Sequence, residues 1–114
     1  MTGERKLNSV IKTVKVSDVT IPTGQSLDEH GIVFVGDRAG VVYDKINGEL
    51  VSVNFDTQRE FVTNHFDEAN LPAVGGKIYV GAADGKLTKT ESGNKLAGFY
   101  WGKIGGAITF SLAM

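Results

Sequence analysis

The chain has no cysteine and only two prolines among its 114 residues. The absence of cysteine excludes disulfides, thiolate nucleophiles and thiolate metal ligands. No apolar run approaches the roughly 20 residues of a transmembrane helix, so we expect no membrane partner. The 12 basic and 13 acidic side chains are spread evenly along the sequence. There is no basic stripe to neutralise phosphates, and we therefore expect no nucleic-acid partner.

Motifs that carry catalysis or bind cofactors are also missing from the sequence. The two histidines, His30 and His65, each lie in a polar loop beside acidic residues, and neither shows the spacing of a metal ligand. There is no G-x-S-x-G nucleophile elbow and no phosphate-binding P-loop. We expect no enzymatic activity, no metal and no cofactor.

What the sequence does contain is a series of short apolar runs separated by glycine-rich turns. Residues 75–113 hold four such runs, a pattern typical of a β-meander. In the last run, Ile108, Phe110 and Leu112 alternate with Thr109 and Ser111, which is the period of two of a half-buried strand. No helical period fits this region.

The first half of the chain predicts further strands at residues 10–21, 31–36, 41–44 and 50–55, and a short restart at 61–62. A tight turn is predicted at 37–40. Asn47-Gly48 predicts a hairpin with a type I′ turn. In the strand that follows it, we expect valines 51 and 53 and Phe55 to face inward, and Ser52 and Asn54 to face outward.

Two segments lack strand periodicity. Residues 1–9 are polar, which predicts an N-terminal arm. Residues 63–74 are irregular, with at most one helical turn at 67–70 before Pro72. Loops of this kind often carry the contacts of a β scaffold.

These elements predict an all-β fold, with one domain at residues 10–114 preceded by the extended arm at 1–9. About seven or eight short strands separated by turns are typical of a compact antiparallel β-sandwich or of a small β-barrel. The sequence leaves both architectures open.

Three consecutive aromatic residues, Phe99, Tyr100 and Trp101, are a candidate contact site. In a strand, Tyr100 must face opposite to its two neighbours. Since aromatic residues are enriched at interface hot spots, Tyr100, or Trp101 in the other register, is a candidate subunit contact. The alternative is that all three belong to the core.

Residues 75–99, GGKIYVGAADGKLTKTESGNKLAGF, resemble the C-terminal signature of small tailed-phage head proteins, the capsid decoration or cement proteins, often labelled recombinase-associated. The layout is similar over residues 14–112. Three positions depart from the signature: Gly76 replaces an aspartate, Val80 a tryptophan and Ala97 an isoleucine. The absence of a P-loop gives the recombinase label no support. The matching residues are Tyr79, Lys86, Leu87, Thr88, Thr90, Gly93, Asn94, Leu96 and Gly98.

The resemblance implies a non-enzymatic virion structural protein that is made in the host cytoplasm, binds the outer surface of the capsid and stabilises the head. Its implied partners are the major capsid protein and, in a homotrimer, further copies of itself. The alternative is a virion-displayed binding module, either a head-fibre base or a carbohydrate-binding β-sandwich, with an exposed aromatic residue beside a polar groove. The candidate capsid or intersubunit contacts are Arg5, Lys6, Leu7, His65, Phe66, Leu71, Tyr100 and Trp101.

Overall fold

A computed structural model describes residues 10–28 and 30–113, and within them the chain forms two antiparallel five-stranded sheets. The strand order is β1-β5-β4-β3-β2 in sheet A and β6-β10-β9-β7-β8 in sheet B. Sheet A consists of β1 (Ile11–Lys15), β2 (Val19–Thr20), β3 (Ile32–Val35), β4 (Arg38–Lys45) and β5 (Leu50–Asn54). Sheet B consists of β6 (Phe61–Thr63), β7 (Lys77–Val80), β8 (Leu87–Thr88), β9 (Lys95–Ile104) and β10 (Ala107–Leu112).

The two sheets pack face to face around a shared apolar core. Because side chains alternate along a strand, each sheet presents every second residue to the other. Sheet A contributes Ile32, Phe34 and Ala39 to this core. Sheet B contributes Ile78, Val80, Leu87, Ala97, Tyr100, Ile108, Phe110 and Leu112. The all-β prediction is confirmed. The architecture is a pair of packed sheets that do not close into a barrel.

Sheet A has a second core on its other face, formed by four fully buried valines with smaller contributions from β1 and the loops. Its two edge strands, β1 and β2, are joined only by the 3-10 turn Val16–Asp18. That link spans at most about 14 Å, whereas the edges of a flat five-stranded sheet lie about 19 Å apart. Sheet A must therefore curl around this core. The four valines are Val33, Val42, Val51 and Val53.

Several predicted boundaries were wrong. The strand predicted at 10–21 is divided into β1 and β2 by the turn Val16–Asp18. The described residues form ten strands, whereas about seven or eight were predicted. The predicted turn at 37–40 is instead a tight turn at Gly36 and Asp37, because Val35 already pairs with Arg38 and Gly36 has φ 61°.

The Asn47-Gly48 hairpin is present, but its turn is not type I′. Neither residue has a positive φ. The Asn47 side chain instead accepts hydrogen bonds from the backbone amides of Glu49, at 2.7 Å, and Leu50, at 2.9 Å. An asparagine side chain that binds the backbone two residues later is an alternative way to build a turn.

The predicted outward orientation of Ser52 and Asn54 does not expose them, since their exposed fractions are 8% and 4%. The reason is that Asn54 pairs with Val41, which packs against the shared core, so Ser52 and Asn54 lie on the face of sheet A that turns towards sheet B. The Ser52 hydroxyl lies 3.2 Å from the hydroxyl of Thr13 on β1. Asn54 accepts a hydrogen bond from the Asp56 amide through Oδ1 at 2.9 Å.

Candidate functional site

The outer face of sheet B, the face turned away from sheet A, is the first candidate site. Its members follow from the strand register, because Ile108 and Phe110 point into the core and their neighbours must point outward. Thr109 on β10 pairs with Gly102 on one side and Val62 on the other, and Ala107 pairs with Ile104. Val62, Ile104 and Ala107 therefore share this outer face.

Three large apolar side chains are exposed on the outer face. The exposed fractions are 68% for Val62, 69% for Ile104 and 46% for Trp101. A sheet that is apolar on both faces is normally covered on both. Here sheet A covers only one of them. An exposed apolar sheet face of this kind marks an interaction surface.

A β-bulge places Trp101 on the outer face. Thr109 pairs with Gly102 and Phe110 pairs with Tyr100, so Trp101 is the extra residue between two pairs. Its indole Nε1–H donates to the Ser111 hydroxyl at 2.8 Å. Tyr100 points into the core and is only 7% exposed. Of the two alternatives, Trp101 is the one that can reach a partner, and Tyr100 belongs to the core.

The segment at residues 63–74 is attached to sheet B rather than free. The Leu87 amide donates to the His65 carbonyl at 3.1 Å, and the Asp67 amide donates to the Leu87 carbonyl at 2.9 Å. Phe66 and Leu71 pack against the core between the sheets, on the side opposite to Trp101. The predicted helical turn is the 3-10 helix Glu68–Asn70.

The structure therefore does not bring the predicted contact residues together. His65 lies at a junction of loops, where its ring Nε2–H donates to the Asp84 carbonyl at 2.9 Å. Phe66, Leu71 and Tyr100 belong to the inner side of sheet B, and Trp101 belongs to its outer face. Arg5, Lys6 and Leu7 lie outside the described residues.

Residues of the C-terminal signature build the fold rather than a chemical site. Leu87 is fully buried in the core. The Asn94 side chain accepts from the Ala82 amide at 2.8 Å and donates to the Thr90 carbonyl at 2.9 Å, which ties two turns together.

Tyr79, on β7, contributes a side-chain hydrogen bond next to the edge strand β8 of sheet B. Its hydroxyl donates to the Glu91 carboxylate at 2.9 Å. This hydrogen bond, together with burial of the ring and the negative charge of Glu91, raises the pKa of the Tyr79 phenol, because each favours the neutral form.

A groove of about 680 Å³ between the two sheets is the second candidate site. It runs beside β6, which is an edge strand of sheet B. Within the described part of the chain, no acidic side chain lines it. Its lining includes Tyr43, Asn54, Arg59, Phe61, Val62 and Thr63.

Neither a metal-binding cluster nor a membrane-spanning helix occurs within the described residues. No group of three or more histidine, cysteine, aspartate or glutamate side chains that could hold a metal ion occurs within residues 10–28 and 30–113. No helix in that part of the chain is long and apolar enough to cross a membrane.

Comparison with protein families gives a match over residues 11–112, to the phage cement protein family. The chain belongs to this family. The comparisons with curated proteins and with solved structures find no significant match. The resemblance read from residues 75–99 is therefore confirmed, and this cement protein has a structural, capsid-associated role.

The sequence prediction missed two exposed residues of the cement protein's outer face, Val62 and Ile104. Ile104 precedes the turn Gly105-Gly106, so it lies directly opposite Ala107 at the end of a hairpin. The period of two counted back from Ile108 would have placed Ala107, and hence Ile104, outside the core. Val62 carries no such signal, because its pairing with Thr109 is a contact between distant segments.

Proposed function

We propose that this cement protein binds the outer surface of the phage head through the outer face of sheet B and stabilises the shell of major capsid protein. The observation that supports this most directly is the exposed apolar group Val62, Trp101 and Ile104 on one sheet face. Apolar area removed from water contributes about 25 cal/mol per Å². A buried tryptophan is a common centre of an interface.

The proposed mechanism is mechanical rather than enzymatic. A rigid pair of sheets holds the outer face in one shape, so little conformational entropy is lost when it docks. Each copy bridges neighbouring capsid subunits and contributes a modest binding energy. Many symmetric copies together add a large stabilisation against the pressure of the packaged genome.

We further propose that the protein acts as a homotrimer at local three-fold positions of the capsid, with the arm at residues 1–9 as a second contact. In this proposal His65, Phe66 and Leu71 support sheet B from its inner side, opposite to the outer face that contacts the capsid. The protein is made in the host cytoplasm and is incorporated into the virion there.

The test is binding to purified, undecorated capsids. The mass of the free protein is first measured by light scattering, which distinguishes monomer from trimer. The protein is then titrated onto the capsids and pelleted. The wild type is expected to co-pellet at a saturable copy number. Ile104→Lys places a charge in the apolar contact and is expected to weaken binding about tenfold or more.

Ile46→Lys is the matched control, because Ile46 is also an exposed isoleucine, 48% accessible, but lies in the turn between β4 and β5. It is expected to bind as the wild type does. Equal loss in both variants, or no loss in Ile104→Lys, would exclude the outer face of sheet B. A wild type that stays in the supernatant would exclude the cement role itself.

The alternative function, a displayed carbohydrate-binding module, receives less support. It requires an exposed aromatic side chain beside a polar groove, and Trp101 does not line the groove. Tyr43 does line it and is 55% exposed. The chemistry of that groove nevertheless favours a different ligand.

A further inference from the structure

The groove between the sheets combines an uncovered strand edge with hydrogen-bond donors. The edge belongs to β6, which pairs with β10 on one side only. All three residues of β6 line the groove. An edge strand presents unpaired backbone amides and carbonyls, which can pair with an added strand.

Asn54 places a donor in the groove. The residue is 4% exposed, and its Oδ1 accepts from the Asp56 amide at 2.9 Å. Its Nδ2 donates to no other described residue, although the side chain lines the groove. The structure contains no fully buried side-chain nitrogen or oxygen that lacks a partner, counted over the described residues. The Asn54 amide hydrogens are therefore accessible from the groove and suit a ligand oxygen.

Arg59 supplies the positive charge. Its Nε lies 3.7 Å from Asp56 Oδ2, which is too far for a hydrogen bond, and 61% of its side chain is accessible. The two terminal nitrogens thus keep their donors free to bind a carboxylate. His30 and His65 also line the groove, and each donates one ring N–H to a backbone carbonyl.

We propose that this groove binds an extended acidic segment of a capsid subunit, which adds to the free edge of β6 as a further strand. Backbone pairing with β6 supplies affinity, and a carboxylate of the segment binds Arg59 and Asn54. The chain's own arm, MTGERKLNS, has two basic residues and one acidic residue, so it has the wrong charge for this site. The proposal rests on the cement role.

The test uses the full-length protein on undecorated capsids. Tyr43 lines the groove and is replaced by the photo-crosslinker p-benzoylphenylalanine, Tyr43→p-benzoylphenylalanine. After irradiation, the crosslinked peptides are identified by mass spectrometry. The expected product joins residue 43 to a capsid-subunit segment that contains aspartate or glutamate. Hydrogen exchange is expected to show new protection of residues 59–65 on the capsid, which side-chain contacts alone would not produce.

Arg59→Glu provides the charge test and Arg38→Glu its matched control. Arg38 is an exposed arginine at the start of β4 and does not line the groove. Arg59→Glu is expected to weaken capsid binding about tenfold or more, because a like charge would face the carboxylate. Arg38→Glu is expected to change it less than about twofold.

The outcomes separate the two proposals. If the wild type binds capsids but residue 43 crosslinks to a basic segment, to a second copy or to nothing, the groove proposal is wrong and the cement role stands. Unchanged exchange at residues 59–65 in the bound protein would also overturn it. If the wild type does not bind capsids, the cement role fails, and the groove proposal fails with it.

Discussion

At the scale of single residues, Gly98 shows why a signature position is restricted to one amino acid. It lies on β9 opposite Leu112, where β9 and β10 approach closely. A Cβ atom at this position would lie 1.7 Å from the backbone carbonyl oxygen of Ser111. No rotamer change can relieve a clash with backbone, so the two strands would have to separate.

We therefore predict that Gly98→Ala lowers the free energy of unfolding by about 3 kcal/mol or more. Gly48→Ala is the control, because a Cβ at Gly48 would meet no atom within 4 Å. It is expected to change stability by less than about 1 kcal/mol. Urea unfolding followed by tryptophan fluorescence measures both. Equal stabilities for the two variants would show that β9 and β10 can adjust freely.

The Tyr79–Glu91 hydrogen bond makes stability depend on alkaline pH. The pKa of the Tyr79 phenol is raised in the folded protein, so the folded state holds the phenol proton more tightly than the unfolded chain does. This contribution is fully present below the unfolded pKa of about 10 and is lost as the pH rises through the folded pKa.

Tyr79→Phe removes both the hydrogen bond and the titration. The variant is expected to be less stable than the wild type at pH 8, and the difference is expected to shrink above pH 10. Urea midpoints at a series of pH values measure this. Tyr43→Phe is the control, since the Tyr43 hydroxyl forms no hydrogen bond with the described residues. A constant difference between wild type and Tyr79→Phe would contradict the linkage.

The choice between Tyr100 and Trp101 could not be made from the sequence. Alternation predicts that adjacent residues face opposite sides, but not which side is the core. The answer depends on the bulge at Trp101, and that bulge arises from the pairing of β9 with β10 rather than from any local residue pattern. Asn54 was misjudged for a similar reason, because its burial depends on which face of sheet A packs against sheet B, and its pairing with Val41 places it on that face.

At the scale of elements, period-two alternation and glycine-rich turns predicted most strands of both sheets to within a few residues. The prediction was least accurate at residues 10–21, because this one segment forms both edge strands of sheet A, β1 and β2. Nothing local requires a break at Val16–Asp18. The turn follows from the curling of sheet A, which is a property of five strands together. Segment 63–74 was correctly predicted to lack strands after residue 63, but its attachment to β8 is a long-range contact.

The arm at residues 1–9 can be tested as an element. The first strand of sheet A, β1, begins at Ile11. The residue before it, Val10, already bonds to the fold, because its carbonyl accepts from the Phe55 amide at 2.8 Å. Deletion of residues 1–9 is therefore expected to leave the melting temperature nearly unchanged, because the described contacts of β1 remain. Capsid occupancy is expected to fall. Thermal unfolding and capsid pelleting measure the two effects.

A longer deletion, of residues 1–11, is the control that shows how loss of part of β1 affects stability. Removal of residues 1–11 also takes away Ile11, which pairs with Asn54, and is expected to lower the melting temperature. Unchanged occupancy after removal of residues 1–9 would rule out the arm as a capsid contact. A large loss of stability in that variant would assign the arm to the fold instead.

At the scale of the whole molecule, the fold class and the family could be predicted from sequence, whereas the binding surfaces could not. The signature at residues 75–99 consists of turn and core residues, so it identifies the family without locating a contact. The outer face of sheet B and the groove beside β6 both arise from pairing between distant segments. Val62 and Arg59 show this most clearly. Neither residue can be assigned to a binding surface until the pairing of β6 with β10 is known.

Each sheet is built from one continuous part of the chain, residues 11–54 for sheet A and 61–112 for sheet B. During synthesis, all of sheet A leaves the ribosome before sheet B is complete. The four valines of its second core come from sheet A alone, so this half can begin to fold early. Its other face, with Ile32 and Phe34, stays uncovered until sheet B follows. A nascent chain that stalls between the two halves would therefore leave this apolar face exposed and open to aggregation.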